Sequence, residues 1–159
     1  MLNRRFLFLA VAVAALAGCA TTSTPVSVAD TIASQSQLST LNGLVAKAGL
    51  TDTLKGTGPY TVFAPTNAAF AKVPAKTMDE LGKDPARLKA VLTYHVVPGK
   101  VMAANVKNGN TKTVNGANVA LSKAGEFVTI EEAMVQTADI SATNGVVHIV
   151  DSVLIPPAK

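Results

Sequence analysis

The sequence predicts an α+β domain, because helical spacing dominates its first half and β-branched runs dominate its second half. Leu38, Leu41 and Val45 recur three and four residues apart, as on the buried face of a helix. Residues 146–150 are almost wholly β-branched and follow a turn-forming Asn-Gly pair. Helices that precede strands, rather than alternating with them, are typical of α+β folds.

Residues 146–150 predict the strand on which closure of the fold depends. Val147 and Ile149 should point to one face of the sheet and His148 to the other, between apolar neighbours. A strand with two apolar faces belongs in the interior of a sheet. His148 therefore needs a hydrogen-bond partner, because burial of an unpaired imidazole is costly. The prolines at 156 and 157 end any further pairing.

Three short helices are predicted before the first strand. The first contains Val28 and Ile32, which lie one helical turn apart. The second is the Leu-rich helix described above, and it ends near Gly49, a residue suited to a helix C-terminus. The third covers residues 50–54. The loop at 55–59 contains two glycines but lacks the third glycine and the lysine of a phosphate-binding loop.

The next segment predicts a strand that turns sharply into a helix. Residues 61–63 form a short buried strand, and Pro65 ends it. Thr66 or Asn67 then caps a helical turn, because both side chains can accept a hydrogen bond from a free backbone N–H.

The remaining elements are one helix and a series of strands. Asp84-Pro85 predicts a helix start, with the cap followed by proline at the first helical position. This helix leads into a predicted strand at 94–98, which includes His95. Asn115-Gly116 predicts the turn of a β-hairpin. Further predicted elements are a helical turn at 101–106 and strands at 111–114, 119–121, 127–130 and 133–137.

Residues 1–18 predict an export signal. Arg4-Arg5 precede an apolar stretch that is shorter than the roughly 20 residues needed to span a bilayer. The segment 16–19, Leu-Ala-Gly-Cys, resembles the bacterial lipobox, in which the cysteine becomes the first mature residue and its thiol receives diacylglycerol. Cys19 is the only cysteine, so it cannot form an internal disulfide. The alternative is an ordinary secretory leader with an incidental cysteine.

The residues after Cys19 predict a flexible tether. Residues 19–26 comprise the lipidated cysteine and this tether, whose residues 20–25 are small and mostly polar, and the domain follows at 27–157. The predicted partner of Cys19 is therefore membrane lipid. Ala20 resembles the sorting pattern for the outer membrane, so the expected location is that membrane, facing the periplasm or the surface. A soluble secreted or periplasmic protein is the alternative.

The composition argues against disordered and nucleic-acid-binding proteins. Hydrophobic residues make up 48% of the chain and charged residues 15%, which is typical of a globular protein. Without the two arginines of the leader, 12 Lys and Arg oppose 10 Asp and Glu, a net charge of +2. This charge is too small and too scattered for nucleic-acid binding. Aromatic residues are only 4%, too few for a stacking platform.

The two histidines, His95 and His148, are the candidate groups for chemistry. No spacing typical of zinc ligands is present, so no metal site is predicted. With Asp151 they could form a catalytic or metal-binding cluster, but no Gly-x-Ser-x-Gly nucleophile motif accompanies them. The favoured hypothesis is two buried histidines hydrogen-bonded to hydroxyls and backbone, which tie strands to the Thr66 corner. No catalytic residue and no cofactor is predicted.

Three segments together resemble the fasciclin domain. Residues 61–70 resemble the first homology block of that family, Tyr94-His95 its tyrosine-histidine element, and residues 144–156 its second block. Their order and separation also fit, over about residues 26–157. The resemblance implies a β-sandwich wedge with helices packed around one side, and a non-enzymatic role in adhesion or cell-surface interaction. The structural residues of the two blocks are Thr66, Asn67, His148 and Asp151.

The resemblance also implies two candidate adhesion elements. Tyr94-His95 matches an element implicated in integrin adhesion by animal members, and Asp139-Ile140 matches an aspartate-isoleucine element of those members. The alternative is that these residues only stabilise the core. The expected ligand is an unknown protein or polysaccharide at the cell surface. Two other hypotheses are a small-ligand carrier or hydrolase with a pocket near His95 and His148, and an envelope protein that binds copies of itself.

Overall fold

The computed structural model describes residues 26–156. The predicted export signal, Cys19, nearly all of the tether and Pro157 lie outside these residues. The helices are α1 (Val28–Ser34), α2 (Ser39–Lys47), α3 (Thr51–Lys55), α4 (Asn67–Lys72), α5 (Ala75–Lys83) and α6 (Pro85–Tyr94). The strands are β1 (Tyr60–Pro65), β2 (Val96–Pro98), β3 (Gly109–Lys112), β4 (Asn118–Ala124), β5 (Phe127–Ile130), β6 (Ala133–Ala142) and β7 (Gly145–Val150). Short 3₁₀ helices occur at Ser36–Leu38 and Ala103–Asn105.

The seven strands form one strongly bent sheet with the order β2-β1-β7-β6-β5-β4-β3. Only β1 and β7 pair in parallel, and every other described pair is antiparallel. The register of β6 against β7 shifts twice between Val135 and Ile140, and such irregularities bend a sheet. The two ends of the sheet then approach each other, and the N–H of Val114 donates to the carbonyl of Val96 at 2.8 Å. The sheet is therefore a nearly closed wedge.

Strand β7 lies between β1 and β6, and all its residues are buried. Val147 and Ile149 pack with the helices in one core cluster. Val150 packs in a second cluster, which also contains Phe63 and residues of β4 and β5. The two apolar faces predicted for this strand therefore each cover a core. The predicted wedge with helices on one side and the α+β class are confirmed.

Local signals placed most helix boundaries correctly. The Oγ1 atom of Thr66 accepts a hydrogen bond from the N–H of Ala69 at 3.1 Å, which caps α4. The Oδ1 atom of Asp84 accepts from the first N–H groups of α6, at 2.9 and 3.1 Å. Gly49 follows α2 with a φ of +66°, a conformation that favours glycine.

The prediction that His95 lies in a strand was wrong. Tyr94 is the last residue of α6, His95 is its C-terminal cap, and the strand begins only at Val96. The N–H of His95 donates to the carbonyls of Val91 and Leu92, at 3.3 and 3.1 Å. These bonds continue the helix, and they outweigh the β propensity of the residues that follow.

Helix α5 was not predicted. Leu81 is its only buried residue and Met78 is partly buried, so the segment has too few apolar residues for a repeated helical pattern. None of the helices within residues 26–156 has the length and hydrophobicity needed to cross a membrane.

Candidate functional site

His95 links the end of α6 to the segment that follows β7. The N–H of Leu154 donates to its Nε2 atom at 3.0 Å, so the ring proton is on Nδ1. Nδ1 then donates to the carbonyl of Val91 at 2.8 Å. The side chain is only 2% exposed. Both ring nitrogens are thus occupied by backbone partners.

His148 links β7 to two other segments in the same way, with the opposite tautomer. The N–H of Asp139 donates to Nδ1 at 3.2 Å, and Nε2 donates to the carbonyl of Val101 at 2.8 Å. The imidazole also stacks on the ring of Phe63, with a centroid distance of 5.3 Å. His148 therefore holds β6, β7 and the segment after β2 together.

Burial keeps both imidazoles in the neutral form. Desolvation lowers the pKa of His95 to about 4, although its bond to Val91 acts in the opposite direction. Desolvation likewise lowers the pKa of His148, against smaller raising effects from Val101 and Asp139. A neutral ring with one donating and one accepting nitrogen has no free nitrogen for a metal or a proton transfer.

The expected partners of the histidines were partly wrong. Neither ring is hydrogen-bonded to a hydroxyl or to the Thr66 corner, and every hydrogen-bond partner of the two rings is a backbone atom. Backbone partners are fixed by the fold itself, whereas hydroxyls would have required a matching side chain. Within residues 26–156, no three His, Cys, Asp or Glu side chains are grouped so that they could hold a metal ion.

Asp151 and the Thr66 corner stabilise the end of β7. The Oδ1 atom of Asp151 accepts from the N–H of Met134 at 2.9 Å, while Lys72 lies 3.9 Å from the other carboxylate oxygen. The N–H of Thr66 donates to the carbonyl of Val150 at 3.2 Å. Asn67 extends this corner, because its Oδ1 accepts from the N–H of Thr40 at 2.9 Å. The corner thus joins β7 to α2 and α4.

The candidate adhesion residues are mostly buried. Tyr94 is 3% exposed, and its hydroxyl donates to the carbonyl of Asn118 at 3.1 Å. Burial raises the pKa of this hydroxyl, and the nearby carboxylate of Glu131 raises it further. Asp139 has a φ of +59°, and its Oδ1 accepts from the N–H of Ala103 at 2.8 Å. Ile140 is half-buried against the helical core cluster. All four side chains therefore have partners inside the domain.

Asn144 is a structural residue that the sequence did not single out beyond its turn. Its Oδ1 accepts from the N–H of Val28 at 2.8 Å, and its Nδ2 donates to the carbonyls of Leu54 and Gly56, both at 2.7 Å. One side chain thus connects the start of α1, the end of α3 and the β6–β7 turn. The Asn-Gly pair signalled the turn alone, since these partners lie about ninety or more positions away.

An apolar crevice lies beside His95. It is lined mainly by aliphatic side chains of α2, α3 and α6, among them Leu41, Leu54 and Leu92. Its free volume is about 30 Å³, room for roughly one or two water molecules. His95 turns no free nitrogen toward it, because both are bonded elsewhere. The geometry around the histidines therefore favours a structural role over ligand carriage or hydrolysis.

Comparison with known proteins identifies the family of this wedge. A family model described as the Fasciclin domain matches residues 36–156. The chain belongs to the fasciclin family. This fasciclin chain is also 40% identical to Protein sll1483 of Synechocystis over 142 residues, which cover 87% of this chain and 78% of that protein.

Mycobacterial relatives match over a smaller part of their length. The chain is 46% identical over 112 residues to the immunogenic protein MPB70 of Mycobacterium bovis, covering 70% of this chain and 57% of MPB70. It is 41% identical over 110 residues to the cell surface glycolipoprotein MPB83 of the same species, covering 69% of this chain and 49% of MPB83. The chain thus spans only about half the length of these two relatives.

A solved structure supports the same fold. A FAS1 domain pair from the insect cell adhesion molecule Fasciclin I superposes with a TM-score of 0.66 at 16% identity, covering 82% of this chain and 51% of that one. At this identity the likeness concerns the fold alone. Together, the family model, the relatives and this structure agree on the fasciclin family and its fold.

Proposed function

We propose that this fasciclin chain is a non-enzymatic interaction module, held at the bacterial envelope through lipidated Cys19, that mediates adhesion or contacts with a surface protein or polysaccharide. The observation that carries the proposal is membership of the fasciclin family, together with a relative named as a cell surface glycolipoprotein. The lipobox-like segment at 16–19 supports lipid attachment, and Ala20 supports the outer membrane as the location.

The geometry of the buried polar groups supports a role without catalysis. Both histidines have neutral rings and backbone partners on each nitrogen, so neither is poised as a base or a ligand. Asp151, the carboxylate considered with them, is bonded instead to the backbone of Met134. What remains for interaction is the outer surface of the wedge.

Tyr94-His95 and Asp139-Ile140 enter the proposal as residues that shape the surface rather than touch a ligand. Tyr94 and His95 are 3% and 2% exposed, so direct contact would require local opening of the domain. Asp139 fixes the neighbouring segment through its bond to Ala103. Substitutions here would then alter binding by loosening the loops.

Lipidation is tested by labelling cells that express the full chain with radioactive palmitate. We expect label on the wild-type chain and none on Cys19→Ser, because the thiol is the only one available for acylation. The full chain with Ser36→Ala serves as a control for expression and export. Unlabelled wild type, or a labelled Cys19→Ser chain, would contradict envelope tethering by this cysteine.

The interaction function is tested by capture of envelope and matrix material on the immobilised full chain. Saturable binding of a defined protein or polysaccharide, without chemical change of that partner, is the expected result. Turnover of a captured substrate that disappears in a folded His148→Ala chain would instead favour hydrolysis. Sedimentation of the same chain distinguishes a partner from a second copy of itself.

A further inference from the structure

We infer that the exposed surface around β3, the last strand in the sheet order, binds acidic polysaccharide. This inference rests on the interaction function proposed above and names the class of its partner. The surface, here termed the lysine edge, combines ammonium groups with side-chain amides. Its members are Lys107, Lys112, Lys123, Asn105, Asn110 and Asn118.

Positive charge is concentrated in one part of the chain, although the net charge without the leader arginines is only +2. Residues 85–125 contain six Lys and Arg and no Asp or Glu. Arg87, near the start of this segment, is paired with Glu80 at 2.9 Å. The lysines that follow it lie in α6 and in the segment from β2 to β4. The part of the chain that contains β3 and β4 is therefore basic.

The fold brings three of these lysines to one sheet edge. Strand β3 stands last in the sheet order, and the residues just after it approach β2 through the bond from the N–H of Val114 to the carbonyl of Val96. The register of β3 against β4 pairs Lys112 with Asn118 and Gly109 with Leu121, and Lys107 and Lys123 lie just beyond the last of these pairs. The Oδ1 atom of Asn108 accepts from the N–H of Lys123 at 2.6 Å and holds the two segments together.

The positive charges of the lysine edge are not neutralised inside the domain. Among residues 26–156, the ion pairs involve other cations, and none of Lys107, Lys112 and Lys123 contacts a carboxylate. Lys107 and Lys112 are exposed. The ammonium of Lys123 donates to the carbonyl of Ala104 at 2.9 Å, which positions it without removing its charge. An external anion is the complementary partner.

The neighbouring amides favour a polysaccharide among polyanions. Asn105, Asn110 and Asn118 are exposed, and amides both donate to and accept from sugar hydroxyls. Ammonium groups pair with the carboxylates or phosphates of an acidic sugar chain. Insertion into a membrane uses apolar side chains, and stacking on single-stranded nucleic acid uses aromatic rings. The lysine edge contains neither. The lysines could instead serve to prevent aggregation through the strand edge. That role would not require the neighbouring asparagine side chains.

The test measures binding of the full chain, in a neutral detergent, to polygalacturonate at low salt, with uncharged dextran and soluble glycerol 3-phosphate, a phospholipid headgroup without acyl chains, as comparison probes. We expect binding to polygalacturonate alone, weakened by added salt because exposed ion pairs are screened. The double variant Lys107→Gln/Lys112→Gln should lose about fivefold in affinity, since each exposed pair contributes modestly. The double variant Lys76→Gln/Lys83→Gln removes the same charge from α5 and should lose less than about twofold.

Several results would overturn the inference. Equal losses in the two double variants would mean that net charge, and not the lysine edge, attracts the polymer. Binding only to glycerol 3-phosphate, or to none of the probes, would exclude acidic polysaccharide as the partner. Increased self-association of Lys107→Gln/Lys112→Gln with unchanged affinity would assign the lysines to edge protection. If envelope capture succeeds and is insensitive to Lys107→Gln/Lys112→Gln, the interaction function stands and only this inference fails.

Discussion

Replacement of His95 by alanine is expected to lower the free energy of unfolding by about 3 kcal/mol. The substitution leaves the N–H of Leu154 and the carbonyl of Val91 without their partner in the buried interior. It also leaves a cavity in the interior, because the His95 side chain is only 2% exposed. Urea unfolding monitored by circular dichroism measures the loss.

Gln136→Ala is a suitable control for His95→Ala. Gln136 is exposed on β6, so its truncation should change the free energy of unfolding by less than about 0.5 kcal/mol. A His95→Ala chain of wild-type stability that fails to bind its partner would show that this ring acts as a contact residue. That result would contradict the structural role.

Gly145→Ala is expected to destabilise the domain by at least about 3 kcal/mol, at or beyond the upper end of the usual cost of overpacking. A Cβ atom at this position would fall far inside contact distance of the Tyr60 carbonyl. Tyr60 and Gly145 are partners in the parallel pairing of β1 with β7, so neither backbone can retreat without opening the ladder. The midpoint of thermal unfolding should fall accordingly.

Gly43→Ala provides the matched control for Gly145→Ala. Gly43 lies inside α2, and a Cβ atom there would meet nothing within 4 Å. The same chemical change should stabilise the helix by roughly 0.5–1 kcal/mol. If both variants unfold like the wild type, the close approach of β1 and β7 is not as described here.

The parts of the fold set by neighbouring residues were predictable from sequence. Asp84-Pro85 determines a helix start through its own side chain and ring, and Asn115-Gly116 determines a turn through its own φ preferences. The nearly continuous apolar run in β7 likewise predicted two buried faces. Each of these signals acts over a few neighbouring residues, so its effect on the backbone does not depend on contacts with distant parts of the chain.

Features that depend on distant partners were not predictable in the same way. The segment around His95 has strand propensity, yet the carbonyls of α6 and the N–H of Leu154 place that ring at a helix end. Asn144 bonds to Val28 and Leu54, which no local pattern reveals. The lysine edge exists because β3 is the last strand of the sheet, a consequence of topology rather than of local sequence.

The candidate site shows the same division. Two buried histidines with hydrogen-bond partners were expected from an apolar run that contains one polar residue. The identity of those partners could not be predicted from the sequence, because it depends on where Val101, Asp139 and Leu154 lie after folding. The adhesion role of Tyr94-His95 and Asp139-Ile140 stays a prediction derived from resemblance.

Nitrogen NMR of the two imidazole rings tests most directly whether the histidines stabilise the fold rather than act as bases or ligands. At pH 6.5, the ordinary pKa of histidine, both rings should remain mostly neutral, because burial lowers both pKa values. His95 should carry its proton on Nδ1 and His148 on Nε2, each as a single tautomer. Half-protonated rings at that pH, or tautomers in exchange, would contradict the structural role of these histidines.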